Sequence, residues 1–425
     1  MGKMKIAFFV IQFPTVSETF ILNQICGLLD RGHDVRIFAH FRGNDPVVHP
    51  DVETYGLLDR TKYIPPVPAK RWSRLSKAIS LCRRHGFSSW PRLIKSANFF
   101  RYGRQAASLG LLFSSIPFLD RGDFDIVHCH FGPTGLTAVL LREIGLLKGK
   151  ILTTFHGVDV NVYPALYGEG AYQKLFERGD LYTVNTAFTA EKVVALGCPR
   201  EKIVKLPVGL NMSNYQYRPR FPNETEDIKV LTVGRLEEKK GIEYSIRAFQ
   251  RAQQAHPNLQ YLIVGDGVLR DHLNRVIKEL NLSDKVQLLG WKTQDQLQSL
   301  YAEAHLFVLA SVTSTNGDQE GQGLVLQEAQ AAGLPVVSTL HNGIPEGVLD
   351  GRSGFLVQER DIDALAGKLI YLIEHPELWS EMGKAGRNFV ECQYDINRLN
   401  ERLVAIYEGL LTVCEETFQE RYTAR

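Results

Sequence analysis

The stretch "KVLTVGRLEEKKGIEYSIRAFQ" (229–250) decides the architecture. It opens on an apolar run, "KVLTVG" (229–234), with the length and branched side chains of a buried strand. It then turns on glycine and charge, "GRLEEKKG" (234–241), and continues with apolar residues at helical spacing over 241–255. Strand, short polar turn and helix in that order form one step of a parallel β–α–β sheet. The same order follows downstream: "QYLIVG" (260–265), helix 268–280, "VQLLG" (286–290), helix 294–303, "LFVLAS" (306–311), helix 323–332, "PVVST" (335–339), "GFLV" (354–357) and helix 361–374. Upstream, "KIAFFVI" (5–11) leads into a helix over 17–32, capped by Ser17 and closed by Gly32. Strands at 33–40, 123–131, 150–157 and 181–186 come next, with helices over 134–147 and 187–197.

These runs predict an α/β chain of two Rossmann-like doubly wound domains facing one another across a cleft. The first spans 1–206 and the second 228–394. Residues 207–227, with three prolines and little periodicity, read as a linker, and an amphipathic helix covers 395–413. A chain of 425 residues is too long for one core, which agrees with two. Ligands of open α/β sheets bind beyond the carboxyl ends of the strands, so the residues just after each strand are the candidates for chemistry.

Composition narrows the class. Apolar residues at 44% and charged residues at 23% are ordinary for a globular enzyme. Cys26, Cys82, Cys129, Cys198, Cys392 and Cys414 are scattered without ligand-like spacing, which points to reduced thiols and a cytoplasmic protein. No apolar run reaches membrane-spanning length, and the opening "MGKMKIAFFVIQF" lacks the pattern of a secretory leader.

The net charge of +2 hides an asymmetry: residues 1–210 carry 27 Lys+Arg against 17 Asp+Glu, so the remainder is acidic. The excess lies in residues 60–104, with twelve basic residues, no acidic one, and Trp72, Phe87, Trp90, Phe99 and Phe100 interleaved. One reading is a cationic face that docks on anionic lipid, placing the protein on the inner face of the cytoplasmic membrane. The other is a solvated helical face whose aromatics belong to the core. The absence of acids favours the first, and no nucleic-acid-binding module is present.

In "GRLEEKKG", Arg235 stands at the strand's carboxyl end and Lys240 just before Gly241 at the helix start. Two cations beside a helix amino terminus suit a diphosphate; a capped turn with solvated charges is the plainer alternative. In "EGQGLVLQE" (320–328), Gly321 and Gly323 let backbone N–H groups approach a phosphate or sugar. Glu320 on the loop can reach sugar hydroxyls. Glu328, in the first part of a largely apolar helix, can accept two hydrogen bonds from a ribose diol. Read plainly, the two acids are a charged cap and an exposed helix residue.

"DFD" (123–125) matches D-x-D as text, but it precedes a strand on its amino side and reads as a turn, so no metal is assigned. His128 and His130 flank Cys129 without a third ligand; His128 reads as structural and His130 as a candidate for the acceptor side. His156, ending the strand of "FHGVDV", reads as functional.

The motifs "GRLEEKKG", "VGDGVLRDHL", "EGQGLVLQEAQAAGLPVVST" and "GIPEGVLDGRSGFLV" resemble the C-terminal half of family 4 glycosyltransferases, with their E-x7-E element. "FPTVSETFI" (13–21), "HCHFG" (128–132) and "FHGVDV" (155–160) are similar to a branch building bacterial exopolysaccharides of the colanic-acid type. The resemblance implies the two-domain GT-B fold, a retaining mechanism, and a nucleoside-diphosphate sugar as donor to a glycan or lipid-linked acceptor. It implies no cofactor and no metal. The N-terminal domain would bind acceptor and the C-terminal one donor, with helix 395–413 packing back on the first.

The resemblance also gives Arg235, Lys240 and Gly234 the donor diphosphate, Glu320 the sugar, and the backbone of Gly321, Gln322, Gly323 and Leu324 the sugar and phosphate. Glu328 takes the ribose, Trp291 and Lys292 the nucleobase region, and His156 the sugar's anomeric side. Ser17, Glu18 and Thr19 fall on the acceptor side, in a loop where Pro14 to Ser17 replace the paired glycines of many relatives. Gly323 and Asn211 likewise differ from the residues often found there. Three other readings stand beside a transferase: a sugar-nucleotide epimerase, a phosphorylase-like enzyme and a non-catalytic nucleotide-sugar binder. A nicotinamide dehydrogenase is disfavoured, because no G-x-G-x-x-G follows the first strand.

Overall fold

The computed structural model describes residues 2–15, 18–44, 48–84, 90–119, 122–221 and 227–412. The chain divides into two compact units. The first comprises residues 1–184, 190–206 and 400–425, and the second residues 185–189 and 207–399.

The first unit is built on seven strands, β1 (Lys5–Phe13), β2 (Asp34–Arg42), β3 (Thr61–Tyr63), β4 (Asp123–His130), β5 (Lys148–Phe155), β6 (Leu181–Val184) and β7 (Ile203–Lys205). They are all parallel and lie in the order β3-β2-β1-β4-β5-β6-β7. β1 sits in the middle with both faces covered, which is why it is a nearly unbroken apolar run and not an alternating one: Ile6 to Val10 are all essentially inaccessible. Fully burying side chains such as Phe8 and Phe9 contributes roughly 1.5–3 kcal/mol each. The helix Ile396–Thr412 is the last described element, and its portion from Asn400 onward belongs to this unit. There the Tyr407 hydroxyl meets His128 Nδ1 at 2.7 Å, and Asn400 Nδ2 donates to the Asn23 carbonyl at 3.3 Å.

The second unit holds β8 (Ile228–Val233), β9 (Leu259–Val264), β10 (Val286–Gly290), β11 (Leu306–Leu309), β12 (Val336–Thr339) and β13 (Gly354–Val357). They too are parallel, in the order β10-β9-β8-β11-β12-β13. The order in which strands are added reverses between β8 and β11, the switch point beyond whose carboxyl ends open α/β sheets bind ligands. The loops leaving these two strands are 234–241 and 310–323.

Three readings need correction, and in the basic stretch the alternative of aromatics packed in the core falls. Ser17 and Phe87 lie outside the described residues, as does the side chain of Trp90; the helix Thr19–Asp30 starts from Glu18, whose side chain makes no capping bond. "DFD" is not a turn, since β4 begins at Asp123; Asp125 accepts the Lys5 N–H at 2.7 Å and so fixes β4 to β1. Residues 207–221 are no bare linker: Leu210, Met212 and Tyr215 are buried in the second unit, and Arg220 donates to the carbonyls of Tyr301 and Ala304. In the basic stretch, Trp72, Phe99 and Phe100 are exposed and are not core residues. β3, β7 and the helix Leu378–Gln393 add elements that periodicity did not single out.

Candidate active site

After β8 the chain passes Gly234 and Arg235, makes a single 3-10 turn over Glu238–Lys240, and enters the helix Ile242–Ala255 through Gly241. Gly241 is left-handed (φ 60°), and a Cβ there would fall 1.7 Å from the Ala310 carbonyl oxygen, so only glycine allows this turn to lie against the end of β11. Lys239 and Lys240 then diverge. Lys239 is buried and pairs with Asp318 at 2.9 Å, whereas Lys240 Nζ lies 2.5 Å from Glu320 Oε2. Glu238 accepts the Thr315 N–H at 3.0 Å and its hydroxyl at 2.8 Å, and the Val312 N–H donates to the Lys239 carbonyl. These bonds stitch the two loops of the crevice into one surface. Arg235, half-exposed, pairs with Glu237 at 2.8 Å.

The loop after β11 ends at Gly323, left-handed at φ 72°, from which the helix Leu324–Ala331 begins. The Gln322 side chain pairs with both backbone groups of Val208, at 2.8 and 3.0 Å, and so anchors the loop instead of facing a ligand. Burial opposes a charge on Glu320, but Lys240 beside it outweighs that and holds the carboxyl below the usual range. Glu328 stands one turn into the helix, where its Oε2 accepts the Tyr301 hydroxyl at 2.8 Å and the Tyr215 hydroxyl also reaches it. Burial pushes this carboxyl up to about 7, with both tyrosines and Lys240 pulling the other way. The two acids of the E-x7-E element therefore differ at neutral pH: Glu320 is ionised and Glu328 is poised.

The structure thus brings together Lys240 and Glu320, with Arg235, Gly323 and Glu328 on the loops and helix around them. Trp291 and Lys292 follow β10 at the sheet's edge. Trp291 is exposed, and neither side chain shares a hydrogen bond or ion pair with this group among the described residues.

In the first unit, three histidines stack at the ends of β4 and β5. His128 and His130 have centroids 4.4 Å apart, and His130 and His156 lie 5.2 Å apart and nearly coplanar in orientation, with Nδ1 of His130 3.0 Å from Nε2 of His156. His128 is satisfied on both sides by Tyr407 and Thr154, while His130 Nε2 has no hydrogen-bond partner among the described residues. Burial drives His128 and His156 down to about 3 and His130 well below its usual value, so all three are neutral imidazoles at physiological pH. The turn at His156 is set by Asp159, whose carboxylate accepts the N–H groups of Gly132, His156 and Gly157 at 2.9–3.0 Å. Phe20 packs on His156 at 4.7 Å. Glu18 is pushed up to about 7 by burial, and its Oε2 has no hydrogen-bond partner among the described residues. Neither Glu18 nor Thr19 bonds to the histidines among the described residues.

Sequence reasoning missed Asp159, Tyr215, Tyr301, His341 and Glu359. The "VD" of "FHGVDV" and the polar "HNG" directly after a buried strand were the available signals; nothing local marks the two tyrosines. Among the described residues, no group of three or more His, Cys, Asp or Glu side chains is placed to hold a metal ion.

Two parallel sheets in one chain, with the chain's solved-structure likenesses below, place it in the GT-B fold class. Two family models divide the chain accordingly: Glycosyltransferase Family 4 matches residues 17–214 and Glycosyl transferases group 1 matches 214–389. A putative colanic acid biosynthesis glycosyltransferase, WcaL, of Salmonella typhimurium is 36% identical, over 96% of this chain and 100% of the relative. The amylovoran biosynthesis glycosyltransferase AmsK of Erwinia amylovora is 34% identical with the same coverage. The chain belongs to this glycosyltransferase family and is a transferase. Its fold matches Anabaena Alr3699/HepE, solved with UDP and glucose, at a TM-score of 0.68 and 16% identity over 96% of this chain and 100% of that one.

Proposed function

We propose that the protein is a retaining glycosyltransferase that moves a sugar from a nucleoside diphosphate to a glycan or lipid-linked acceptor during exopolysaccharide assembly. The observation that carries this reading is the Lys240–Glu320 pair at the β8/β11 switch point, beside Arg235 and the helix that opens at Gly323. When the bond from the sugar's C1 to the diphosphate oxygen breaks, negative charge gathers on that oxygen. Lys240, Arg235 and the helix amino end supply fixed positive potential there, and removing one such stabiliser typically costs ~10²–10³ in rate. No metal is required for that task. The acceptor oxygen bonds to C1 and its proton leaves on the diphosphate. Glu320 takes the donor sugar's hydroxyls and Glu328 the ribose.

Relatives support the class of product: two of them are named for colanic acid and amylovoran biosynthesis. Their names leave the nucleobase open, since a mannosyltransferase of Mycolicibacterium smegmatis at 27% identity is called GDP-mannose-dependent while the Anabaena structure holds UDP.

Exposed residues between 71 and 100 support a place of work on a membrane surface. In the helix Arg71–Arg84, Trp72, Leu75 and Ile79 share one exposed face, and Ile94, Phe99 and Phe100 add exposed apolar groups, Phe100 at 99%. The charged residues of 60–104 are all basic, and of these Arg101 pairs with Glu143. Two copies of such a patch repel one another, whereas an anionic lipid surface satisfies both the charge and the apolar groups. We therefore place the protein peripherally on the inner leaflet. Among the described residues no helix is long and apolar enough to cross a membrane.

The test is a donor screen. The purified protein is incubated with UDP- and GDP-linked sugars, with and without a lipid-linked acceptor on vesicles, and the product's anomeric configuration is read by NMR. Acceptor-dependent nucleotide release with the donor's configuration kept is the expected result. Isomerised donor without transfer would make the protein an epimerase, and binding without turnover a binder.

A further inference from the structure

Across the carboxyl ends of β11, β12 and β13 runs a chain of bonds that the donor reading does not use. Glu359, after β13, accepts the Thr313 N–H with Oε2 at 2.9 Å and approaches His341 Nδ1 with Oε1 at 2.5 Å. His341, after β12, is completely buried, and its Nε2 lies 3.1 Å from the Glu320 backbone nitrogen and 2.8 Å from Asn342 Nδ2. Asn342, held in the left-handed region at φ 47°, also donates Nδ2–H to the Glu320 carbonyl at 3.1 Å.

The partners fix the proton. Nε2 faces two N–H donors and must be a bare acceptor, so the ring's hydrogen sits on Nδ1 and points at Glu359. Turning the Asn342 amide over would set its oxygen against the Glu320 carbonyl, so the amide cannot be reversed to suit a protonated Nε2. Glu320 is thereby gripped at both backbone groups while its carboxylate meets Lys240.

We propose that His341, oriented by Glu359, is the positioning residue that sets Glu320 for the donor sugar. This rests on the function proposed above, in which Glu320 touches that sugar; His341 acts only through it. The two closest replacements of the ring separate its two bonds. His341→Gln reaches the Nε2 position with an oxygen and keeps the Glu320 contact, whereas His341→Asn reaches only the Nδ1 position and leaves the Glu320 N–H unmatched.

The experiment measures UDP and GDP affinity by calorimetry and nucleotide-sugar turnover over the donor panel for wild type, H341Q, H341N and E359Q. Urea unfolding serves as the control for folding. Because the diphosphate and ribose residues are untouched, affinity for the free nucleotide should stay within about twofold. A misplaced reacting group costs up to ~10², so H341N should lose about that factor in kcat/KM, and H341Q should retain most of the activity. Equal losses in free-nucleotide and nucleotide-sugar binding, or H341N as active as H341Q, would overturn the assignment. If wild type binds no nucleotide at all, the parent reading fails instead. The bracket is then judged by the ¹⁵N spectrum of His341, identified by its loss in H341Q, where an Nε2–H tautomer overturns it.

Discussion

Lys240→Ala tests the site through both stability and rate. Lys240 and Glu320 stand 2.5 Å apart with side chains only 12% and 15% exposed. Their attraction is about 6–7 kcal/mol at an effective dielectric of 20, much of it offset by the desolvation of both charges. Deleting the lysine alone removes the attraction and leaves a buried carboxylate, which typically destabilises by about 3–5 kcal/mol. For a unit of this size that lowers the unfolding temperature by about 6–20 °C.

The sign with pH follows from Glu320. In wild type its carboxyl lies below the unfolded value, so its contribution is present above pH ~4.5 and is lost as pH falls further. Without Lys240, burial is the dominant influence and raises the carboxyl above the unfolded value. The folded variant then takes up a proton before the unfolded chain does, so the deficit is largest near pH 8 and shrinks towards pH 5. Adding Glu320→Gln should restore stability while activity stays ~10²–10³ below wild type. Urea unfolding at pH 5, 6.5 and 8, alongside donor turnover, reads both effects. A stability deficit independent of pH, or near-normal turnover in the single variant, would refute the electrostatic account of this pair.

Glu328→Gln should weaken free-nucleotide binding by about tenfold or more. Since Glu328 sits near 7 and accepts best when ionised, wild-type affinity should rise between pH 6 and 8 more steeply than that of the variant, read by calorimetry. EDTA treatment should leave donor turnover within about twofold; complete loss restored by a divalent cation would contradict the roles of Arg235 and Lys240 at the leaving group. Replacing Lys70, Arg71, Lys77, Arg83, Arg92 and Lys95 with glutamine should release the protein from phosphatidylglycerol vesicles in sedimentation assays, and Phe100→Ser with Trp72→Ser should weaken what binding remains. Retention by both variants would place the membrane contact elsewhere.

Much of the fold was legible because the central parallel strands are buried on both faces and most helices on one, which writes apolar runs and a helical period into the chain. "VQLLG", "GFLV" and the helix 294–303 match the observed elements residue for residue. The failures occurred where local pattern is weak. A three-residue strand such as β3 carries no period, and residues 207–221 lack one because they are held by side-chain bonds, notably Arg220 to two carbonyls, and by three apolar anchors. Exposure of Trp72 and Phe100 was equally hidden, since spacing gives a helix an apolar face without saying whether anything covers it.

The site divides along the same physical line. Arg235, Lys240, Glu320 and Glu328 were legible because a strand end or helix start fixes each locally, and charge at such a place has few structural uses. Tyr301 and His341 were not, because their roles arise from strand order: Tyr301 reaches Glu328 from the helix before β11, and His341 links β13 to the β11 loop. Such contacts exist only once parallel strands lie side by side, and order within a sheet is the part of a fold that one sequence records least. A buried polar residue directly after an apolar strand is the one local trace such a network leaves. His341, buried and one residue beyond "PVVST", and His156, half-buried directly after "KILTTF", are close to that kind, which makes the first residues beyond a strand, more than charge density, the place to search for positioning residues in chains of this architecture.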